Sequence, residues 1–357
     1  MIRFLAKDRI IIAAGWGSKV ISVLVNFINI QLLFTLLGVD GAALHSIIIS
    51  VGGWFGLLTF GFPSVILNHL SSELALGGEV SEVRRQYYKL LLILVVFGSS
   101  LCICLSPLIY IWLVKDLVKV SFLAVFFLLY SQLFLAFSEI PNKILFSEGR
   151  ALFPNVMNSI VSVCVCVTLL FLGGESINDK VFIAYFFPYF AVFLISSFLA
   201  FRGSKPSRDI ELVLTRKSEA KVFFLFSLMS ACVLRVDYIL LGFLVSTSVV
   251  AKYMLLTKVF SAVFFLYSVV LSMLWPKLSR LNALNELVRI KKEMRDSMLT
   301  GVCILTFFVL LFAPFRNFLF EFLSSGQVLL QCCFTVQFPS QSAYAVVNST
   351  HSTSNFP

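Results

Sequence analysis

The feature that most limits what this chain can become is the recurrence of long apolar runs. Nine stretches, at about 10–37, 43–67, 89–113, 120–140, 153–173, 181–201, 222–246, 249–275 and 297–320, are each long enough to cross a hydrocarbon layer about 30 Å thick as a helix. Lipid offers a backbone N–H or C=O no partner, so a continuous apolar run in a membrane has to satisfy its own backbone as a helix. The expected fold is therefore all-α, a polytopic integral membrane protein. Composition agrees: 59% hydrophobic residues, 13% charged residues and a mean hydropathy of +0.96 leave more apolar surface than a soluble core can hide. The first run is too long for a cleavable signal, has no small-residue cleavage site and contains Lys19.

A net charge of +10 would point to nucleic acid in a soluble protein, but here its distribution follows the membrane and no nucleic-acid partner is expected. Alternate connections on one side carry three Lys/Arg (the N-terminal segment), three (68–89), two (141–152), six (202–221) and six (276–296), twenty of the 28 in the chain. The other side has five, Lys115, Lys119, Lys180, Lys252 and Arg316. Positive residues stay inside, so the N terminus and the long connections are expected in the cytoplasm. The opposite connections, such as 38–42, 114–119 and 173–180, are too short to hold a folded external domain. The basic stretch "NALNELVRIKKEMRDS" is expected to lie on the anionic leaflet as an amphipathic helix.

Catalytic signatures are absent from the sequence. His45, His69 and His351 are scattered, and there is no His-Glu-x-x-His, phosphate-binding glycine loop or Gly-x-Ser-x-Gly. Cys102/Cys104 and Cys164/Cys166 are two residues apart in apolar runs, so each pair points to different helix sides, and Cys332/Cys333 lie near the end of the chain. No enzyme, cofactor or metal site is expected.

What needs explaining is the polarity inside the spans. Lys19, Ser22, Asn26 and Asn29 recur at i, i+3, i+7 and i+10, one stripe of a helix, and Lys258, Ser261, Phe265, Ser268 and Ser272 repeat that rhythm in the eighth span. A lysine at mid-span costs about 2.5–3.5 kcal/mol on insertion scales, which favours a site facing other helices or water. The competing reading has Lys19 reaching back to the cytoplasmic interface and the asparagines bonding across helices. Arg235 and Asp237, two residues apart in the seventh span, do not share a helix face, so each is expected to meet another helix or the cavity. Three embedded cations against one mid-span carboxylate suit an anion: Lys19, Asn26, Asn29, Arg235 and Lys258 are the expected substrate-binding residues, and Asp237 an ion-coupling or ion-pairing residue. Pro107, Pro154 and Pro188 are expected kink points.

The second span leaves through "GFPSVILNHLSSEL" and the eighth through "LWPKLSRLNALNEL", which suggests an internal duplication of six spans plus six. Together with "GWGSKVISVLVNFINIQLLFTLLG", "GGWFGLLTFGFPSVILNHLSSELA" and "RVDYILLGFLVSTSVVAKYMLLTKVF", the chain over about residues 1–325 resembles the O-antigen flippase family of the multidrug/oligosaccharidyl-lipid/polysaccharide exporter superfamily. The resemblance implies a two-lobed transporter bundle working by alternating access. It also implies an undecaprenyl-diphosphate-linked oligosaccharide as cargo, the bacterial inner membrane as location, and the polysaccharide polymerase and chain-length machinery as partners. The expected organisation is a six-helix lobe at 1–201, a basic inter-lobe loop at 202–221, a partial second lobe at 222–326 and an atypical tail at 327–357. That tail has no Lys, Arg, Asp or Glu and no run long enough to cross, and it reads as the product of a truncation or frame shift. A multidrug or metabolite exporter of the same superfamily is the alternative, and a membrane-embedded polymerase or acyltransferase is the rival of another class.

Overall fold

The computed structural model describes residues 2–78, 80–113, 120–172, 177–207, 209, 211–324 and 326; the tail expected at 327–357, with Cys332/Cys333, and the connection holding Lys115 and Lys119 lie outside them. The described residues form helices joined by short connections, without a strand: α1 (Ile2–Gly52), a 3-10 helix (Gly53–Thr59), α2 (Phe62–Leu76), α3 (Val80–Leu113), α4 (Phe122–Ser147), α5 (Leu152–Leu170), α6 (Ile177–Ile183), α7 (Phe186–Phe201), α8 (Glu211–Thr215), α9 (Lys217–Leu244), α10 (Thr247–Ala283) and α11 (Leu287–Leu323). Seven of these stretches are long and apolar enough to cross a membrane by composition, namely 15–59, 80–112, 122–147, 152–170, 178–201, 217–244 and 247–265. The chain is a multi-pass, all-α membrane protein.

The first two expected spans appear as one helical stretch broken at glycine. At 51 residues α1 would run about 77 Å if straight, far beyond one crossing. Gly38 breaks it with φ 68° and ψ −175°, a conformation an L side chain resists. A second break follows at Phe60 and Gly61, where the backbone of α9 comes so near that a Cβ on Gly61 would stand 2.6 Å from the Ala220 carbonyl. The three prolines expected to be kink points differ in their places. Pro107 lies inside α3, whereas Pro154 and Pro188 occupy first turns of α5 and α7, where a missing N–H costs nothing.

The main core runs from Leu33 to Val213, with Phe137, Tyr87, Leu128 and Phe182 fully enclosed. A second apolar cluster joins α1 (Ile30, Phe34, Ala43, Ile47) to α9 and α10 (Tyr238, Val250, Met254, Leu255). α1 thus packs on the helices before and after the 202–216 connection.

Contacts sort the connections by end. At one end Trp275 donates from Nε1 to Asn68 Oδ1 (2.8 Å), Ser279 to the Asn68 carbonyl (3.2 Å) and Arg280 to the Ser147 carbonyl (2.6 Å). Arg84 pairs with Glu148, and Ser207 donates to Glu82. At the other end Thr247 donates to Asp40, and the Ser121 amide to Asp179 (2.7 Å). These groupings match the alternation read from the basic residues. The 276–296 stretch departs from expectation: it is the tip of a helical hairpin, not a separate surface helix. α10 continues to Ala283 and α11 starts at Leu287, and Lys277–Glu293 (2.6 Å) and Tyr267 Oη to the Ser297 carbonyl (3.0 Å) hold the two together.

Candidate binding site between the helices

Lys19 is turned in among the helices. It is 5% exposed, and its ammonium stands 3.8 Å from the centre of the Phe265 ring of α10. Glu139 and Lys143 of α4, themselves paired at 3.6 Å, are near enough to act on its charge. A desolvated cation–π contact is worth about 2 kcal/mol, so the ring by itself offsets much of the insertion cost. The lysine therefore sits where α1, α4 and α10 converge.

The rest of its stripe divides. Ser22 donates to Ser159 of α5 at 2.8 Å, and Ser159 in turn donates to the Ser18 carbonyl. Asn29 is buried and donates to the Ser162 carbonyl at 3.1 Å. These two polar groups bind α1 to α5, the inter-helix role set against cavity lining above. Asn26 is exposed, so the single stripe holds for Lys19, Ser22 and Asn29 but not for Asn26. On α10, Ser261 is exposed and Ser268 bonds to its own helix at the Phe265 carbonyl.

Arg235, on α9, crosses to the 3-10 helix. A Cβ built on Gly53 would stand 1.5 Å from Arg235 Nη1, so the guanidinium occupies the space a side chain would take. Arg235 and Lys258, on neighbouring helices α9 and α10, are both half-buried, and neither forms an ion pair among the described residues. His45 is 2% exposed, packed against the rings of Phe182 and Tyr185, and its Nε2 has no partner among the described residues. Asp237 forms no ion pair with Arg235 or with any other described residue. It accepts instead from the Tyr253 hydroxyl and from the Tyr238 amide (2.8 Å), and Tyr238 is bonded to Thr257. The two-residue offset that separates Asp237 from Arg235 turns it toward α10.

A groove of about 520 Å³ between α1 and α5 is lined by Gly17, Ser18, Ile21, Ser159, Ile160 and Cys164 among others; it does not include the cations. Sequence reasoning missed Gly53, His45, Tyr253 and Ser159. A histidine inside an apolar run is itself a signal of function, and His45 could have been weighed on that ground.

The fold is that of solved multidrug transporters. The solved MATE multidrug transporter DinF-BH superposes with a TM-score of 0.61 at 18% identity, over 96% of this chain and 77% of that one. Among proteins of known name, the chain is 29% identical over 279 residues to a protein of Yersinia pseudotuberculosis provisionally named an O-antigen export protein, covering 75% of this chain and 64% of that relative. It is 23% identical over 334 residues to a provisionally named O-antigen transporter of Salmonella typhi, covering 90% of this chain and 76% of that one. The resemblance read from the sequence is thus matched by relatives named for O-antigen export or transport. The chain spans under two thirds of the length of the Yersinia relative, and no family model matches it.

Proposed function

We propose that the chain moves an anionic, lipid-linked O-antigen oligosaccharide, carried on undecaprenyl diphosphate, from the inner to the outer leaflet of the bacterial cytoplasmic membrane. The observation that carries this reading is the cation set of the seventh and eighth spans: Arg235 and Lys258 lie without an ion pair among the described residues, and the Arg235 guanidinium fills the Cβ position of Gly53. Cations held in a low-dielectric seam replace the water that a phosphate loses on entry, while the polyprenyl tail stays in lipid.

In this reading the helices of 1–201 and those of 222–326 are two lobes that rock about α1, which belongs to both packed clusters. The cytoplasmic end is closed by Trp275, Ser279 and Arg280 against Asn68 and Ser147, and the opposite end by the apolar cluster around Phe34 and Met254. Substrate entry requires the polar end to part. Asp237, without a cation partner among the described residues and held by Tyr253, is the carboxylate this reading assigns to a coupling proton or sodium ion. A cationic drug would meet Arg235 and Lys258 unfavourably, which sets the drug-exporter alternative behind.

The test is transport in proteoliposomes loaded with fluorescent undecaprenyl-diphosphate oligosaccharide. The chain should expose the sugar to an added lectin faster than empty liposomes do, and Arg235→Ala should remove the difference at equal protein content. Equal rates for the chain, the variant and empty liposomes would overturn the reading.

A further inference from the structure

At the end that carries the basic connections, three arginines gather about one carboxylate. Glu148, directly after α4, is paired with Arg84 of α3 and with Arg150 at 3.9 Å. Arg280, in the last turn of α10, donates from Nη2 to the carbonyl of Ser147, the residue before Glu148, at 2.6 Å. It forms no ion pair among the described residues, and its buried Nε has no hydrogen-bond partner among them. The carboxylate is thus taken up by the other two arginines, and Arg280 keeps its charge and most of its donors free.

Glu148 and Arg280 line one cavity of about 450 Å³, and its remaining lining is Leu74, Ala75 and Leu284. The cavity lies between the end of α2 and the end of α10, with a charged wall and an apolar one. Leu74 and Leu284 are exposed, as are Leu76, Leu287 and Val288 at the neighbouring helix ends. A free anion would use the guanidinium and leave those leucines in water. A phospholipid uses both walls, its phosphate on the arginine and its glycerol and upper acyl chains on the leucines, and basic pockets between helices at the cytoplasmic side of a membrane take such headgroups.

We infer that this cavity seats the headgroup of an anionic glycerophospholipid of the cytoplasmic leaflet, with Arg280 on its phosphate and Leu74 and Leu284 against its glycerol end. The seat is separate from the seam that holds Lys19, Arg235 and Lys258, and it stands whether or not the transport reading does. Because α2 and the end of α4 form one wall and α10 the other, the bound lipid adds a bridge to the closure that Trp275, Ser279 and Arg280 make with Asn68 and Ser147.

The test is titration of phosphatidylglycerol, and separately of phosphatidylcholine, into the whole chain in detergent, with the first bound lipid read by native mass spectrometry. The parent should bind phosphatidylglycerol more tightly than phosphatidylcholine. Arg280→Ala should weaken the first phosphatidylglycerol about fivefold, the effect of one arginine at an anionic lipid surface. That substitution also removes the bond to Ser147, so Leu284→Glu supplies an independent reading: the side chain is exposed, the fold tolerates the change, and a carboxylate at the rim should repel the phosphate and weaken binding by a similar factor. Ser279→Ala, which loosens the closure without changing the charge of the cavity, and Arg289→Ala, whose arginine is paired with Glu286, should bind like the parent. Equal affinity of the parent for the two lipids, or parent-like binding by both Arg280→Ala and Leu284→Glu, would overturn the seat. Displacement of the bound phosphatidylglycerol by an excess of inorganic phosphate would show a site for free phosphate and overturn the lipid assignment.

Discussion

Lys19 and Phe265 come from the first and eighth apolar runs of the sequence and meet with the ammonium 3.8 Å from the ring centre. The contact joins α1 to α10 and gives a lysine inside an apolar run a partner other than lipid. If it stabilises the fold, Phe265→Leu should lower stability by about 1–2 kcal/mol beyond the change in apolar area, and Phe265→Trp should keep or raise it. A double-mutant cycle with Lys19→Met, read by unfolding in mixed micelles, should give a coupling of about 1 kcal/mol. A coupling near zero would show the ring to be a neighbour only.

Ser159 serves α1 twice, accepting from Ser22 at 2.8 Å and donating to the Ser18 carbonyl. Inter-helix bonds of this kind average about 0.6 kcal/mol in membranes and reach about 1.7. Ser159→Ala should therefore cost about 1 kcal/mol, and Ser22→Ala in the same background should add little because the two share one bond. Additive losses would mean that the serines act separately.

The alternation of ends also predicts sidedness. Ser207 is linked to Glu82, and Thr247 to Asp40, at opposite ends of the helices. Reporter fusions at Ser207 and Ser246 should report opposite sides, with Ser207 in the cytoplasm as the basic connections require. An external Ser207 would reverse the proposed direction of transport.

How much of this was legible in the sequence depends on which interaction set it. The helices follow the apolar runs because burial in lipid alone dictates them: α5 begins and ends within a few residues of the expected 153–173, while α4 and α9 run past their expected spans at the end that carries the basic connections. The breaks were harder. Gly38 falls in a connection whose shape comes from backbone freedom, and α6 gives way to α7 at Ala184–Tyr185, where Pro188 has no N–H for the Ala184 carbonyl and breaks the helix rather than bending it. The α10–α11 hairpin was hidden because an amphipathic basic stretch has the same composition on a leaflet as in a hairpin; the Lys277–Glu293 pair that decides it is a tertiary fact. For the site, periodicity placed Lys19, Arg235 and Lys258 inside the bundle. It could not reveal that Asn29 is spent on Ser162, that Asp237 turns to Tyr253, or that Gly53 is a seat for Arg235, since each depends on which helix lies opposite.

The polar closure at the Trp275 end yields the most direct test of movement. Asn68 accepts from Trp275 Nε1 at its side chain and from Ser279 at its carbonyl, while Arg280 reaches Ser147, so α10 is held to α2 and α4 by directional bonds within about one and a half turns. The closure at the opposite end, around Phe34 and Met254, relies mainly on buried apolar area. If the proposed rocking opens the polar end, a cysteine pair Asn68→Cys with Ser279→Cys, placed in a background freed of the native cysteines, should form a disulfide under mild oxidation. That disulfide should stop exposure of the lipid-linked sugar in proteoliposomes, and reduction should restore it. Asn68→Ala alone should weaken the closure by about 1–2 kcal/mol, a roughly five- to thirtyfold shift toward the open form, which thiol labelling of Ser279→Cys would register as faster reaction. Undiminished transport by the oxidised pair would show that this end does not open in the cycle.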